Sequence, residues 1–412
     1  MKILWLSHLI PYPPKGGVLQ RSYNLVREIA KYHDIYLLAF TQSNILKVMF
    51  SNTEKGRAEA MQVLQSFCKR VEFVPIPCEQ SRYGKQTLAL KSLFTKDSYT
   101  INWLKSDLMQ HVLGEWQNVI KFDLVHYDTI SLAPYRKSFP HTKSVLDHHN
   151  IESHMMLRRA ALEKNWIKKF YFLQEGLKLQ RYEKCILREF DMHITCSQLD
   201  SNRLNKIDPT ALVEEIPNGV DIEYFYPMNT SPKTKSLVFA GGLKWYPNQK
   251  AMLYFAKEIW PLLKHEIPDV SMDVIGQSPP DALIELSVRD SSFRVHGFVD
   301  DVRPYLDRAT VYVCPITDGG GTKLKILDAL AMGKAIVADP IACEGIDVTV
   351  NKNVLFATSP NEYLAAIQFL FDNPDIRKKM GESARQLILE QYAYVNIGRN
   401  LSRIYQQVEE IV

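Results

Sequence analysis

Residues 311–333 read VYVCPITDGGGTKLKILDALAMG, and this stretch decides the fold. Val311 to Cys314 is a short run of β-branched and aromatic residues that suits a buried strand. Gly319, Gly320, Gly321 and Thr322 then lead into a helix-period segment in which Leu324, Leu327 and Ala331 share one face. Strand, glycine loop and helix N-terminus in that order let backbone N–H groups and the helix dipole meet an anion. Lys323 and Lys325 add cations in the first helical turn, where the dipole alone favours acids. A doubly charged group such as a diphosphate accounts for both; the plainer reading is a flexible turn beside a solvated face. Asp328 weighs against the plainer one. It lies one turn past Leu324 on the apolar face, where a carboxylate needs a partner, and the two hydroxyls of a ribose would serve.

The pattern continues outward from this stretch. On its N-terminal side, strands are predicted at Ser236 to Ala240, Ser271 to Ile275 and Phe293 to His296, with helices at Asn248 to His265, Ala282 to Val288 and Val302 to Arg308. A strand at Ala335 to Ala338 and helices over about 361–372, 375–390 and 394–411 follow it. The first half repeats the design. Lys2 to Ser7 reads as a buried strand, HLIPYPPKGGVLQR as a loop with Gly16 and Gly17 before a helix at Leu19 to Tyr32, and Ile35 to Phe40 as the next strand. Further strands are expected at Val71 to Val74, Leu124 to His126, Ser144 to Leu146 and Met192 to Cys196, with a helical insertion over 79–117. A Pro/Asn/Ser/Thr-rich connector, EIPNGVDIEYFYPMNTSPKTK, separates the halves at 215–235. No GxGxxG occurs, so a dinucleotide-binding fingerprint is absent.

Polar residues gather at the predicted strand ends: His126, Tyr127 and Asp128, then Asp147, His148, His149 and Asn150, then Glu152. Open parallel sheets bind ligands outside the carboxyl ends of their strands, so two ends that both carry His and Asp point to a binding site. Adjacent histidines do not readily face one ion, and no second cluster with matching ligand spacing follows, so no metal is expected.

Composition excludes several classes. The 412 residues hold 50 Lys and Arg against 46 Asp and Glu, and a net charge of +4 is too small to argue for nucleic acid. The six cysteines form no CxxC pair and read as small core residues of a reducing compartment. The apolar start, MKILWLSHLIPYPP, suits a first strand better than a signal peptide, and no run spans a bilayer, so a cytoplasmic location is expected. A helical tract over 154–190 is rich in cations, among them Arg158, Arg159, Lys164, Lys168 and Lys169, interspersed with Trp166, Phe170 and Leu173. Either this is a solvated helix face or it docks on an anionic membrane surface, at the inner face of the membrane.

Several segments, in this order, resemble the family 4 glycosyltransferases of the GT-B fold: the PKGG loop, the DHHN strand end, IPNGVDIEYF, FAGGLKWYPN, VHGFVDDVRPYL and GGGTKLKILDALAMGKAIVA. The wording of FAGGLKWYPN and GGGTKLKILDALAMGK is similar to the branch that acts in exopolysaccharide or related surface-glycan assembly. The resemblance implies two Rossmann-like, doubly wound parallel-sheet domains facing across a cleft. The N-terminal, acceptor-side domain would span 1–216, the connector 217–235, the nucleotide-sugar domain 236–392, and residues 393–412 would cross back as a helix. It implies a retaining, metal-independent transfer from a UDP- or GDP-sugar to a glycan, lipid-linked or small-molecule acceptor, with no cofactor.

Carried over by that resemblance, Asp328 occupies the second acid of an E-x7-E motif that holds the ribose, and Gly320 stands where the first acid binds the donor sugar. Gly242 and Asn248 stand where the family has a basic pair, and Lys323 and Lys325, with Lys244 or Lys250, are expected to replace that charge. Gly319, Gly320, Gly321 and Thr322 would cradle the diphosphate, and Gly17 would let it approach closely. Gly297, Phe298 and Val299 match the segment that meets the base, and His149 matches a histidine that contacts donor sugar or acceptor. His126, Asp128 and Asn150 are the acceptor-side candidates, and His149, Lys325 and Lys323 the catalytic ones. Two other readings remain open. One is a GT-B protein with weakened catalysis that serves as partner or scaffold in glycan assembly, which the glycine at 320 favours; the other is a sugar-nucleotide epimerase or phosphorylase, for which no acid/base pair or Schiff-base lysine is evident.

Overall fold

The computed structural model describes residues 1–15, 17–228, 230, 233–319 and 321–410. The chain forms two units, residues 1–217 together with 397–412, and residues 218–396. Each is built on one parallel sheet.

The first unit's sheet comprises β1 (Lys2–Ser7), β2 (Asp34–Thr41), β3 (Arg70–Pro75), β4 (Leu124–Tyr127), β5 (Lys143–His148), β6 (Met192–Thr195) and β7 (Val213–Glu215). Its order is β3-β2-β1-β4-β5-β6-β7, with every pair parallel. Five of the six residues of β1 are buried, as expected for a central strand covered on both faces. The chain leaves β1 toward one side of the sheet and starts again at β4 on the other, so the strand order reverses between their carboxyl ends. Such a switch point opens a crevice for ligands.

Four helices of this unit bear on function: α1 (Gly17–Ile29), α2 (Gly84–Phe94), α3 (Glu152–Leu162) and α4 (Trp166–Ile186). The single tract expected over 154–190 is therefore two helices. The first ends at its C-cap Glu163, and Asn165 begins the second, its side chain accepting hydrogen bonds from the backbone N–H of Ile167 and Lys168.

The second unit's sheet comprises β8 (Ser236–Ala240), β9 (Ser271–Ile275), β10 (Phe293–Gly297), β11 (Val311–Cys314), β12 (Ala335–Ala338) and β13 (Leu355–Phe356). The order is β10-β9-β8-β11-β12-β13, again all parallel, and the reversal falls between β8 and β11. After β8 comes α5 (Tyr246–Tyr254), and after β11 comes α6 (Leu324–Ala331). The helix expected over Asn248 to His265 is interrupted by a π-turn at Phe255–Ile259 before it resumes at Trp260–Glu266. Pro261 explains the break, because it has no N–H to give the preceding turn.

The last helix, α7 (Tyr394–Glu410), buries Ile397, Leu401, Ile404, Tyr405 and Val408 along one stripe, and residues from 397 onward pack with the first unit. Gly398 lets it press on α1, since a Cβ there would stand 2.4 Å from Cβ of Glu28.

Candidate functional site

In the second unit the loops after β8 and β11 meet at the switch point through Lys325. Its ammonium donates to Oδ1 of Asn248 at 2.8 Å and stands 5.0 Å from the centre of the Trp245 ring. Asn248 in turn donates through Nδ2 to the carbonyl of Gly242 at 2.8 Å. Gly241 makes room for this link, because a Cβ there would lie 2.7 Å from Cε of Lys325. Burial pulls the Lys325 pKa below its ordinary value, against the opposing influence of Cys314 and Asp328.

Gly319 has a φ of +97° and Gly321 one of +73°, values that a side chain would strain. Lys323 is the N-cap of α6, outside its first turn, and its ammonium donates to the carbonyls of Gly319 at 2.8 Å and Gly321 at 2.7 Å. Thus Lys323, expected to meet a diphosphate, is a buried brace that holds the glycine turn shut on itself. Gly320 lies outside the described residues. Beside the turn, Oγ1 of Thr322 is shielded from solvent and has no hydrogen-bond partner among the described residues.

Asp328 is the centre of this arrangement. The residue is half-buried, yet its Oδ1 is shielded and accepts no hydrogen bond from any described residue. Burial pushes its pKa up to about 8, and the Lys325 ammonium one helical turn away only partly offsets this. An orphaned carboxylate oxygen is a costly feature to leave empty. The remaining expected positions are more open. Lys244 and Lys250 are exposed on the loop after β8 and on α5, while Phe298 is exposed and Val299 half-buried just past β10. Gly297 ends that strand at φ +66° and its carbonyl accepts from Gly276 N at 2.8 Å.

The first unit's switch point is polar and closely bonded. Asp128, just past β4, accepts hydrogen bonds from Ser7 Oγ at 3.0 Å, Ser22 Oγ at 2.9 Å and His149 Nε2 at 3.0 Å, and lies 3.3 Å from His8 Nδ1. Burial alone would raise its pKa, but His149 and His8 hold it well below the usual carboxylate range. Burial likewise opposes charge on His149, and Asp128 and Asp147 more than reverse it, so that its pKa is raised. Asp147 is gripped by Arg21 through Nε at 3.1 Å and Nη2 at 3.0 Å, and Arg21 Nη1 continues to the Ile216 carbonyl at 2.8 Å. Asn150, which follows His149 in the chain, is half-buried, and Gly17 opens α1 with nothing within 4 Å of where its Cβ would be.

His126 departs from expectation. As an acceptor-side candidate it should reach solvent, but it is fully enclosed, stacked on Trp5 with centroids 3.6 Å apart and bonded through Nδ1 to the Tyr405 hydroxyl at 2.8 Å. Burial lowers its pKa to about 3, so it is neutral. Ligand atoms of His126, Asp128 and Asp147 all fall within 4.8 Å of one another. A cation there would have to displace Arg21 from Asp147, and the two carboxylates already have their partners.

Residues that the sequence did not single out complete the cluster: His8, Ser7, Ser22 and Arg21. One signal was present for Arg21, a charged residue four positions before Leu25 on the core face of α1. Glu152, noted at a strand end, has its pKa raised to about 7 by burial and by Glu183.

A family described as glycosyl transferases group 1 matches residues 234–373. An uncharacterized glycosyltransferase of Methanocaldococcus jannaschii is 32% identical over 102 residues, 24% of this chain and 26% of that protein. Phosphatidyl-myo-inositol mannosyltransferase of Mycobacterium tuberculosis is 28% identical over 134 residues, 31% of this chain and 35% of that protein. The chain thus spans about a quarter to a third of these relatives' length. Among solved structures, the Anabaena protein HepE in complex with UDP superimposes with a TM-score of 0.67 at 16% identity, covering 99% of this chain and 100% of that one. The fold is therefore that of GT-B proteins, two Rossmann-like parallel-sheet domains.

Proposed function

We propose that the protein is a glycosyltransferase that takes a sugar from a nucleoside diphosphate donor, a UDP- or GDP-sugar, and passes it to a glycan, lipid-linked or small-molecule acceptor in the cytoplasm. The observation that carries this reading is Asp328: a shielded carboxylate oxygen that accepts no hydrogen bond from any described residue, on the helix that follows the glycine turn, where the Thr322 hydroxyl likewise has no partner among the described residues. Ribose hydroxyls would satisfy the carboxylate, and amides of the turn would face the diphosphate. The match of residues 234–373 to glycosyl transferases group 1 and the UDP complex of the structural neighbour support the same donor class.

In the transfer, the bond from the anomeric carbon to the diphosphate breaks as the acceptor oxygen bonds to that carbon. Negative charge grows on the leaving group, where Lys325 and the turn amides are fixed in advance. The departing phosphate oxygen takes the acceptor's proton on the face where the new bond forms, which gives retention of configuration and asks for no metal or other cofactor. We assign the first unit's cluster to the acceptor, with His149 paired to Asp128, which helps raise its pKa against the effect of burial.

Asp328→Ala should weaken nucleoside diphosphate binding by about 1.5–3 kcal/mol through lost charge-assisted hydrogen bonds. Unchanged affinity in titration calorimetry would refute the assignment. Weakened catalysis in a glycan-assembly partner is a second reading, favoured by Gly320 in place of an acid and by Lys323 bonding within its own loop. Incubation with UDP-, GDP- and CDP-sugars separates the two, since transfer or slow hydrolysis marks an enzyme and binding without turnover a scaffold.

A further inference from the structure

The helix α4 is inside out. Glu175, Gly176, Leu179, Glu183 and Ile186 face the first unit, whereas Trp166, Phe170, Leu173 and Leu177 are exposed. The spacing of these four, by four, three and four residues, puts them on one continuous stripe roughly opposite the packed face. The inversion is built in rather than a loose end. Glu175 accepts from Tyr99 N at 2.9 Å and Glu183 from Ser153 N at 2.9 Å, so the carboxylates belong inside. Gly176 admits Leu157 of α3, which a Cβ would meet at 2.8 Å.

A second exposed stripe ends beside the first. The C-terminal end of α2 is pinned to α4 by Gln174, which donates to the Leu93 carbonyl at 2.7 Å, and by Lys178, which donates to the carbonyls of Ser92 at 2.6 Å and Thr95 at 2.7 Å. Leu90 and Phe94 on that end point to solvent. Exposure reaches 76% for Trp166, 63% for Phe170 and 85% for Phe94. An apolar face of this kind marks an interaction site.

Charge decides the occupant. Residues 154–174 carry Arg158, Arg159, Lys164, Lys168 and Lys169 against Glu163 alone, five positive charges to one negative. A second copy of the chain would oppose this excess to itself, whereas an anionic lipid surface complements both the cations and the apolar stripe. No helix among the described residues is long and apolar enough to cross a membrane, so the face would lie on a bilayer rather than span it. We propose that α4, with the end of α2, docks on an anionic bilayer, with Trp166 and Phe170 at the headgroup–acyl boundary and Lys164 and Lys169 on lipid phosphates. This inference is independent of the proposed transfer reaction.

The full chain is to be floated with vesicles of phosphatidylcholine alone and of phosphatidylcholine mixed with phosphatidylglycerol. Binding is expected only to the mixed vesicles, and weaker at high salt. The double substitution Trp166→Ser, Phe170→Ser should reduce it about tenfold or more. Serine at Lys164 and Lys169 should reduce it roughly fivefold per position. All four side chains are exposed, so circular dichroism of the variants should match that of the native chain. Failure to float with either vesicle, or equal flotation of native chain and variants, would overturn the proposal. So would a native dimer in light scattering that Phe170→Ser dissociates, since the face would then belong to a second copy.

Discussion

Each unit places one aspartate at the point where its strand order reverses, and the two are opposite in electrostatic state. Asp128 is saturated, with two hydroxyls and two imidazoles around it and a pKa well below the usual range. Asp328 is half-buried beside a single ammonium that bonds elsewhere, with one oxygen shielded and unpartnered among the described residues and a pKa pushed up to about 8. The first arrangement is complete as it stands, and its groups hold the loops after β1, β4 and β5 in one geometry. The second is unfinished without a ligand. Saturated carboxylates build a site, whereas an unsatisfied one waits for what binds there.

The comparison breaks most visibly at Asp128. Asp128→Ala leaves His149, His8 and two hydroxyls without their acceptor, and unfolding in urea should show a loss of about 3–5 kcal/mol. Asp128 has a depressed folded pKa, so its contribution is present above the ordinary carboxylate range and is lost as the pH falls through the folded value. His149, whose pKa is raised, contributes below its ordinary value and loses that contribution as the pH rises through the folded one. Stability owed to the pair should therefore peak between those limits. A loss below about 1 kcal/mol would put Asp128 in the same class as an exposed ion pair.

At Asp328 the sign is reversed. A carboxyl whose folded pKa is raised binds more protons in the native state than in the unfolded one, so its contribution to stability falls as pH rises from about 4 to about 8. Asp328→Asn should stabilise the ligand-free protein at neutral pH by about 1–3 kcal/mol. The same substitution should weaken nucleotide binding, and native affinity should rise with pH as the carboxylate forms. Destabilisation by the amide would mean that Asp328 is a structural group, and the contrast between the two aspartates would be lost.

How far this could be read from the sequence depends on the range of each interaction. β1, β8, β9 and β12 fall at their expected residues because a strand covered on both faces is a bounded apolar run. The orphaned Asp328 was legible from helical spacing alone, since Leu324 and Asp328 share a face. What the spacing could not carry was long-range or conformational. Tyr405 meets His126 across 279 residues, and Arg21 meets Asp147 across 126. Lys323 turns back on the glycine carbonyls because of two positive φ angles that no residue pattern specifies. β7 and β13, of three and two residues, are too short to give a period.

The finest test of the contrast lies in two glycines, one just before and one at the start of the helices at the two reversal points. Gly319 is fixed by its backbone: at φ +97° a Cβ would be strained and would stand 3.2 Å from Trp245 and Pro247. Gly17 is under neither constraint, with an ordinary φ at the first position of α1 and empty space where a Cβ would go. Gly17→Ala should therefore raise the stability of the ligand-free chain by about 0.4–1 kcal/mol, by narrowing the unfolded ensemble. A thermal melt checks this, and a drop in melting temperature would show that the empty space is needed for folding. If stability rises while turnover on a nucleotide sugar falls, the space over Gly17 is used by substrate. The first unit would then also hold an unfilled place, and Asp128 and its partners would be the frame around it.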